Sequence, residues 1–499
     1  MSNLEPPENC REQAQAEDAV GRKIALNTML LGATEFLTRF LSLALIILVA
    51  RFLGAAALGI YAFALSLTRI GEIFLNFGLD RYLQREAARE PGAVGPLFAQ
   101  VFVFKTGLSL VVLAVIFGFS WTLVQDPLKR QVLGLLTLAL LFRGHTVSAA
   151  SFFRARQKAA YEAGVVITFR LLYGLTGVAA LWAGQGLLTL VLLETTAQAG
   201  ACLVALWLFW SRLASPWHRV TWGDLGRLVK AAHSFFLLRV LLTLANSTPF
   251  VLLSWLAGDL ATGFYAAALR LTSAFDFLPE AFSGSFLPAL SRQVRESWQS
   301  FVSVFQYYFK YLLILGLGLA AGLGSLAPGL IPLVFGSPFQ PAVPVLTLLA
   351  LALALEFVNL SCSNALIALN EEKALLWSFS CLVLGQVIFN LWFIPVLGAT
   401  GAAIAALLAE FLVLLLQLRA LGRHRLASLA LGSLAWRPLG AGIVSFLGGA
   451  LLTRAQLPLP WSLPLTGLFF LVALMANGAL SRHELKTLKA WAGGRTHEA

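Results

Sequence analysis

Long runs of apolar residues, separated by short polar stretches, follow one another along most of the chain. Each run is about 20 residues long, the length that an α-helix needs to cross the hydrocarbon core of a bilayer. The predicted spans are 27–50, 55–79, 95–118, 132–152, 162–183, 187–210, 232–256, 261–290, 301–324, 341–368, 374–395, 400–420, 431–452 and 463–481. The pattern therefore predicts an all-α membrane protein with about fourteen transmembrane helices.

Composition supports a membrane protein and gives no sign of a catalytic or metal centre. Of the 499 residues, 59% are hydrophobic and only 12% are charged. The polar segment before Asn27 has no apolar core, which predicts a cytosolic tail and not a signal peptide. The four cysteines and six histidines lack the spacing of metal ligands, and no Gly-x4-Gly-Lys-Ser/Thr sequence occurs. We therefore expect neither an enzyme nor a cofactor or metal.

The basic residues are distributed unevenly between the two sides of the predicted membrane. Of the 36 lysines and arginines, 25 are counted on the side of the two termini, 4 on the opposite side and 7 deep inside predicted spans. Because cytoplasmic loops are enriched in Lys and Arg, both termini are predicted to be cytoplasmic. The same bias explains the net charge of +12, so no nucleic-acid partner is expected.

The chain contains an internal repeat. Residues 51–68 align with residues 255–272 at a constant offset of 204, and nine of the fifteen positions from Gly54 to Thr68 are identical to their counterparts. A Gly-x4-Gly-x-Tyr frame carries the alignment. The offset spans six helices, an even number, which predicts parallel repeats about an axis along the membrane normal and alternating access by rocking of two lobes.

This organisation predicts six segments. They are a cytosolic N-terminal tail at 1–26, an N-lobe at 27–210 (helices 1–6), a cytosolic linker at 211–230, a C-lobe at 231–421 (helices 7–12), an extra helix pair at 431–481 and a cytosolic C-terminal tail at 482–499.

Fourteen charged residues lie deep inside the predicted spans. A basic side chain at the bilayer centre costs roughly 2.5–3.5 kcal/mol on insertion scales, so such residues usually face a protein interior or a wet cavity. The bases are Arg39, Arg69, Lys105, Arg170, Arg239, Arg270 and Lys310, and the acids are Glu35, Glu72, Glu194, Asp276, Glu280, Glu356 and Glu410. The chain is therefore predicted to have a polar interior, and its bases favour an anionic ligand.

Several segments resemble bacterial polysaccharide flippases. These proteins belong to the multidrug/oligosaccharidyl-lipid/polysaccharide exporter superfamily, to which the lipid II flippase is related. The similar segments are Arg51–Tyr61 with Phe77–Glu86, Gly263–Arg292, Asn364–Lys373 and Asn390–Ala403, and the resemblance covers about residues 25–420. It implies a multi-pass protein of the bacterial inner membrane that moves undecaprenyl-pyrophosphate-linked oligosaccharides, with a glycan polymerase or ligase as a possible partner.

The resemblance also implies which bases bind the substrate. Arg39, Arg69 and Arg270 match the basic cavity residues of the flippases, and Arg239 is added because it has no acid three or four residues away. Lys105 and Arg170 are weaker candidates, for which a packing role is an equal alternative. Arg39 and Arg69 also have a structural alternative, pairing with Glu35 and Glu72, which lie within one turn on the same helix. For Arg239 and Arg270 the alternative is pairing with an acid on another helix.

The repeat suggests how two of these arginines act. Arg270 is the counterpart of Ser66, and Arg69 lies about one helical turn beyond Ser66. The two arginines are therefore predicted to approach from opposite lobes and clamp one diphosphate.

The buried acids suggest coupling to an ion. A buried carboxylate binds a proton, or a sodium ion together with carbonyl oxygens. Glu35, Glu72, Asp276 and Glu356 are the candidates, with structural pairing to buried bases as the alternative. Proton and sodium coupling both remain open.

Two other functions are weighed against the flippase. A cation-coupled multidrug exporter shares the implied fold, but its cationic substrates favour acids and aromatic residues over arginines. A membrane glycan polymerase is expected to have a large outer loop, whereas the longest outer loops predicted here are 119–131 and 325–340. The extra pair at 431–481 is expected, by resemblance, to form a groove for the polyprenyl tail.

Overall fold

The structure is a computed structural model. It describes residues 8–76, 79–90, 92, 94–213, 220–221, 223–226, 228, 236–424, 426 and 433–480. Among these, only the backbone is described for residues 8–33, 35–37, 80, 81, 88, 236, 238, 433 and 434. The predicted tail at 482–499 and parts of the predicted tail at 1–26 and linker at 211–230 therefore lie outside the described residues.

Helices make up nearly all of this described part. In chain order they are α1 (Glu8–Asn76), α2 (Leu79–Arg89), α3 (Val94–Leu123), α4 (Pro127–Ala155), α5 (Ala159–Trp182), α6 (Leu187–Arg212), α7 (Phe236–Leu256), α8 (Gly258–Ser273), α9 (Phe277–Glu296), α10 (Trp298–Phe335), a 3-10 helix (Ser337–Ala342), α11 (Val343–Ala368), α12 (Glu372–Gly422), α13 (Ser433–Arg454) and α14 (Leu459–Ala476).

The helices of the described ranges account for about fourteen crossings, as predicted. Eleven helical stretches are long and apolar enough to cross a membrane. Two of them, in α1 and α12, are long enough to cross twice, and each contains a glycine with non-helical backbone angles, Gly54 and Gly398. The predicted span 261–290 corresponds to the successive helices α8 and α9, neither of which is among these eleven. The protein is a multi-pass, all-α membrane protein.

The chain packs as two compact units. The first comprises Met1–Phe52 and Ala64–Thr243, and the second comprises Leu53–Phe63 and Leu244–Ala499. A cluster of buried aromatic side chains, including Phe98, Phe152 and Phe209, forms a core of the first unit. The rings of Phe98 and Phe209 stack with their centroids 3.8 Å apart.

The amphipathic helix α2 closes this core from one side. Its Leu79, Leu83 and Ala87 recur every four residues, are fully buried and join the aromatic cluster. Arg85 and Arg89 lie on its exposed side, where both contact Glu86. Helix α2 therefore packs along one face and exposes charge along the other.

The two copies of the repeat touch each other within the second unit. Gly54 and Gly258 are counterparts, and both have positive φ (81° and 83°), which suits a residue without Cβ. Beyond these turns, Gly59 packs against the backbone of Asp259, and Gly263 packs against the backbone of Ala55. The two contacts are related by the same offset of 204 residues, so the repeat is also a pair of reciprocal helix contacts.

Helices α13 and α14 dock on α10 through small residues. Gly318 and Gly442 bring the backbones of α10 and α13 close to apolar side chains of the opposite helix or of α14. Thr453 Oγ1 donates to the carbonyl oxygen of Ser325 (3.0 Å), which adds a polar contact between α13 and α10. The C-terminal pair therefore belongs to the second unit.

Two predicted boundaries are wrong. The outer loop predicted at 325–340 is mostly helix, because α10 continues through Pro328 and Pro332 to Phe335 and only Gly336 separates it from the 3-10 helix. Membrane helices tolerate such prolines where neighbouring groups satisfy the backbone. The predicted span 261–290 is broken between Ser273 and Phe277.

Candidate functional site

A fully buried lysine connects three helices of the first unit. Lys105 of α3 is 0% exposed. Its Nζ donates to Asn76 Oδ1 of α1 (2.9 Å) and to the carbonyl oxygen of Gly144 of α4 (3.3 Å). Beside it, the His145 ring lies 3.2 Å from the hydroxyl of Thr106. These contacts fix the ammonium in the packed interior, and the substrate-binding role predicted for Lys105 stays a prediction.

The carboxylate of Glu72 is held by an arginine that the sequence analysis missed. Arg143 Nε of α4 lies 3.2 Å from Glu72 Oε1 of α1, and the two side chains are 55% and 15% exposed. Arg143 lies within the fourth predicted span, 132–152, but is counted there with the loop charges of the terminal side. The structure places it inside α4, twelve residues and about 18 Å before the helix end at Ala155.

The other predicted bases of the first unit lie on α1 and α5. Arg39 and Arg69 are exposed on α1, and Arg170 is partly buried on α5. The Arg170 guanidinium lies over the Phe169 ring, 5.2 Å from its centroid. The side chain of Glu35 lies outside the described residues.

Arg69 and Glu72 share one face of α1 with Asn76, because the three positions are separated by three and four residues. This face therefore meets Arg143 of α4 at Glu72 and Lys105 of α3 at Asn76. The structure brings Arg69, Glu72 and Lys105, which the sequence singled out separately, into one polar region of the first unit.

In the second unit, the predicted site residues surround the break between α8 and α9. Arg270 lies in the last turn of α8, where a cation interacts favourably with the helix dipole. Asp276 precedes α9, and Glu280 lies in the first turn of α9. Broken helices in transporters often point their ends at bound substrates or ions. Arg239 is exposed near the start of α7.

Two carboxylates form a second polar region of this unit. Glu356 of α11 interacts electrostatically with Glu410 of α12 and with Glu280. The Glu356 side chain is accessible, although Leu353, Ala354 and Phe357 beside it on α11 are buried.

Asn359 orients one member of this pair. Its Nδ2 donates to Glu410 Oε2 (2.7 Å) and to the Glu410 carbonyl oxygen (3.0 Å). Its own Oδ1 is buried and accepts no hydrogen bond from the described residues. Two carboxylates and an open amide oxygen offer hard oxygen ligands, although no group of three or more His, Cys, Asp or Glu suited to a metal ion occurs in the described part of the chain.

Comparison with known proteins identifies the family of this chain. A family described as "Polysaccharide biosynthesis protein" matches residues 48–344 of the chain. The chain belongs to this family. The match covers both copies of the repeat and every predicted base from Arg69 to Lys310. No curated protein matches in sequence.

Solved structures show which fold this member of the polysaccharide biosynthesis family adopts. It is similar to the lipid II flippase MurJ in an inward closed conformation, with a TM-score of 0.71 and 13% identity over 90% of this chain and 98% of that protein. It is also similar to an inward-facing multidrug resistance transporter of the MATE family, with a TM-score of 0.62 and 15% identity over 79% and 96% of the two chains. At these identities the likeness establishes the fold of this transporter superfamily.

A third similar structure is a transporter of the same superfamily from Pyrococcus furiosus, whose binding pocket is described as having reversed polarity. Its TM-score is 0.54, with 16% identity over 82% of this chain and 95% of that chain. The polarity of the binding pocket therefore differs among proteins of this fold, and the substrate has to be argued from the residues of the individual chain.

Proposed function

We propose that this protein is a flippase that translocates polyprenyl-pyrophosphate-linked oligosaccharides across the bacterial inner membrane. Membership of the polysaccharide biosynthesis family is the observation that carries the proposal. The intramembrane bases support it, because a diphosphate is the anionic part of such a substrate. In this proposal the protein moves its substrate by alternating access and makes or breaks no covalent bond.

Arginines are the proposed ligands of the diphosphate. Arg69 of the first unit and Arg270 of the second are the principal candidates, with Arg39 and Arg239 as further contributors. An arginine fork matches phosphate oxygens in a bidentate manner, and a charge-assisted hydrogen bond contributes about 1.5–3 kcal/mol. Two such residues offset part of the cost of removing the diphosphate from water.

The driving force is proposed to be a proton or sodium gradient. Glu356 is the coupling residue that the geometry supports best, because Glu410 lies close enough for the two carboxylates to interact. A proton or a sodium ion relieves the repulsion between two such carboxylates. Asp276, at the break between α8 and α9, is the second candidate. Glu72 is less suited, because its carboxylate already binds Arg143.

The C-terminal pair is proposed to receive the polyprenyl chain. Helices α13 and α14 expose apolar side chains such as Leu447, Leu451 and Leu471. The proposal also places both termini in the cytoplasm, on the side richer in Lys and Arg.

A reconstituted transport assay separates this function from drug export. The purified protein is placed in proteoliposomes with a fluorescent polyprenyl-pyrophosphate-linked oligosaccharide, and outward movement is followed by loss of fluorescence to a membrane-impermeant quencher. The proposal expects protein-dependent movement of this lipid and no movement of ethidium. Transport of ethidium without movement of the lipid would instead identify a multidrug exporter of the same fold.

A further inference from the structure

Arg143 occupies a position where an arginine needs a specific reason. It lies near the middle of α4, a helix long and apolar enough to cross a membrane. An arginine at such a depth is costly and usually faces a protein interior, a water-filled cavity or a ligand. Its partner Glu72 accounts for one side of the guanidinium, yet the arginine side chain is still 55% exposed.

Arg143 is exposed on a different face of α4 from Gln131 and Leu138, which are seven residues apart and both exposed. Of the positions four or seven residues from Arg143, which share its face, Leu136, Ala139 and Ala150 are buried and Val147 is partly buried. The guanidinium therefore lies in a local opening of a covered face.

The surroundings of this opening are cationic. Glu72 is bound by Arg143, and one turn further along α1 Asn76 accepts a hydrogen bond from Lys105. Lys105 also donates to the carbonyl oxygen of Gly144, the residue next to Arg143. These three charged groups comprise two cations and one carboxylate. An anion in the opening therefore meets a net positive charge in a region of low dielectric.

The guanidinium also retains the donors that a phosphate needs. The contact with Glu72 is made by Nε. An arginine has five N–H donors in a planar fork, so the two terminal nitrogens remain able to donate in the geometry that suits a phosphate. The contact between Glu72 and Nε limits rotation of the guanidinium.

We infer that Arg143 is a further anion-binding residue of the first unit, which binds the diphosphate of the lipid substrate while Glu72 positions its guanidinium. The inference rests on the proposed function. It changes the role of Glu72 from an ion-coupling candidate to a positioning residue. It also adds to the predicted arginines one that lies on a different helix, α4.

Binding of a short polyprenyl pyrophosphate tests this role. Farnesyl pyrophosphate is titrated into the purified full-length protein in detergent, with tryptophan fluorescence as the signal and farnesol as the comparison ligand. Arg143→Ala is expected to weaken binding of the pyrophosphate about tenfold or more, the loss of one charge-assisted contact. Arg143→Lys is expected to restore only part of the affinity, because a point charge lacks the fork.

The matched control lies on the same helix. Arg154 of α4 is 45% exposed and its Nε lies 2.8 Å from Glu162, a buried carboxylate, but it lies one residue from the helix end. Arg154→Ala removes an equivalent ion pair and is expected to leave the affinity unchanged. Equal loss of affinity in both variants would overturn the inference, because the effect would then follow from a lost ion pair alone.

A double variant separates binding from stability. Arg143→Ala leaves Glu72 without its partner and is expected to lower thermal stability, whereas Glu72→Gln with Arg143→Ala removes both charges and recovers stability. The inference expects this stable double variant to bind weakly. Recovery of wild-type affinity would show that Arg143 is only the structural partner of Glu72. Failure of the wild-type protein to bind farnesyl pyrophosphate would overturn the proposed function together with this inference.

Discussion

Replacing Gly59 by alanine places a methyl group against the backbone of a neighbouring helix. A Cβ at this position overlaps the carbonyl oxygen of Asp259 and lies 2.8 Å from its carbonyl carbon and 2.9 Å from the backbone nitrogen of Gly263. Optimal separations between carbon atoms are about 3.5–4.0 Å, so the two helices have to move apart by on the order of 1 Å. A backbone cannot rotate away as a flexible side chain can.

The expected cost follows from these distances. Overpacking of a tight contact costs about 1–3 kcal/mol, and the rigidity of the opposing backbone favours the upper end. Alanine also improves the helix by up to about 1 kcal/mol relative to glycine. We therefore expect Gly59→Ala to destabilise the protein by about 2 kcal/mol. Gly263→Ala is expected to cost a similar amount, because it meets the backbone of Ala55 in the reciprocal contact.

Gly174→Ala on α5 is the matched control. Nothing lies within 4 Å of a Cβ built at this position, so the substitution is expected to be neutral or stabilising. Thermal unfolding in detergent, followed by size-exclusion chromatography of heated samples, compares the variants. In the double variant Gly59→Ala with Gly263→Ala, the first substitution already separates the two helices. The loss of stability should therefore be less than the sum of the losses in the two single variants. Equal stability of Gly59→Ala and Gly174→Ala would refute the close contact between the repeats.

The remaining predictions concern topology, a buried charge, the C-terminal pair and coupling. A reporter fused after Arg423 should be cytoplasmic and one inserted at Ser337 should be periplasmic; the opposite result at either site would contradict the orientation. Lys105→Ala should lower the stability by at least about 2 kcal/mol in thermal unfolding, because a cavity forms and two buried acceptors lose their donor, whereas unchanged stability would contradict its packed environment. Removal of residues from 431 onward should leave a folded protein with impaired flipping of long-chain lipids, and normal flipping by the truncated protein would exclude the groove. Glu356→Gln should abolish the acceleration of flipping by a proton or sodium gradient while substrate binding persists; acceleration equal to that of the wild type would exclude Glu356 as the coupling residue.

The sequence predicts the crossings well because each depends on a local property. A run of apolar residues is recognised without its neighbours, and the glycines of the repeat mark the turns at Gly54 and Gly258. The break before α9 was missed, although Pro279 in the first turn of that helix is a signal for it. The predicted outer loop at 325–340 contains Pro328 and Pro332 and is nevertheless mostly helix. A membrane helix tolerates proline when its surroundings satisfy the backbone, and the surroundings are not visible in the local sequence.

The site was less predictable because it depends on pairing between distant residues. The positions of Arg69 and Glu72 suggested an ion pair within one helix, but the partner that the structure identifies for Glu72 is Arg143, 71 positions later. The hydrogen bonds of Asn359 to Glu410 likewise join two helices. No periodicity or motif records such contacts. The signal available in the sequence was the depth of Arg143 within an apolar run. Counting Arg143 with the loop charges concealed that signal.

The central claim is that intramembrane arginines bind the diphosphate of a lipid-linked oligosaccharide. Flipping of the fluorescent lipid in proteoliposomes, measured for Arg69→Ala and Arg270→Ala beside the matched lysine variants, tests this claim most directly. The account predicts that both alanine variants insert and fold normally but abolish flipping, and that Arg→Lys restores it only in part. Wild-type flipping by both stable alanine variants would contradict the claim.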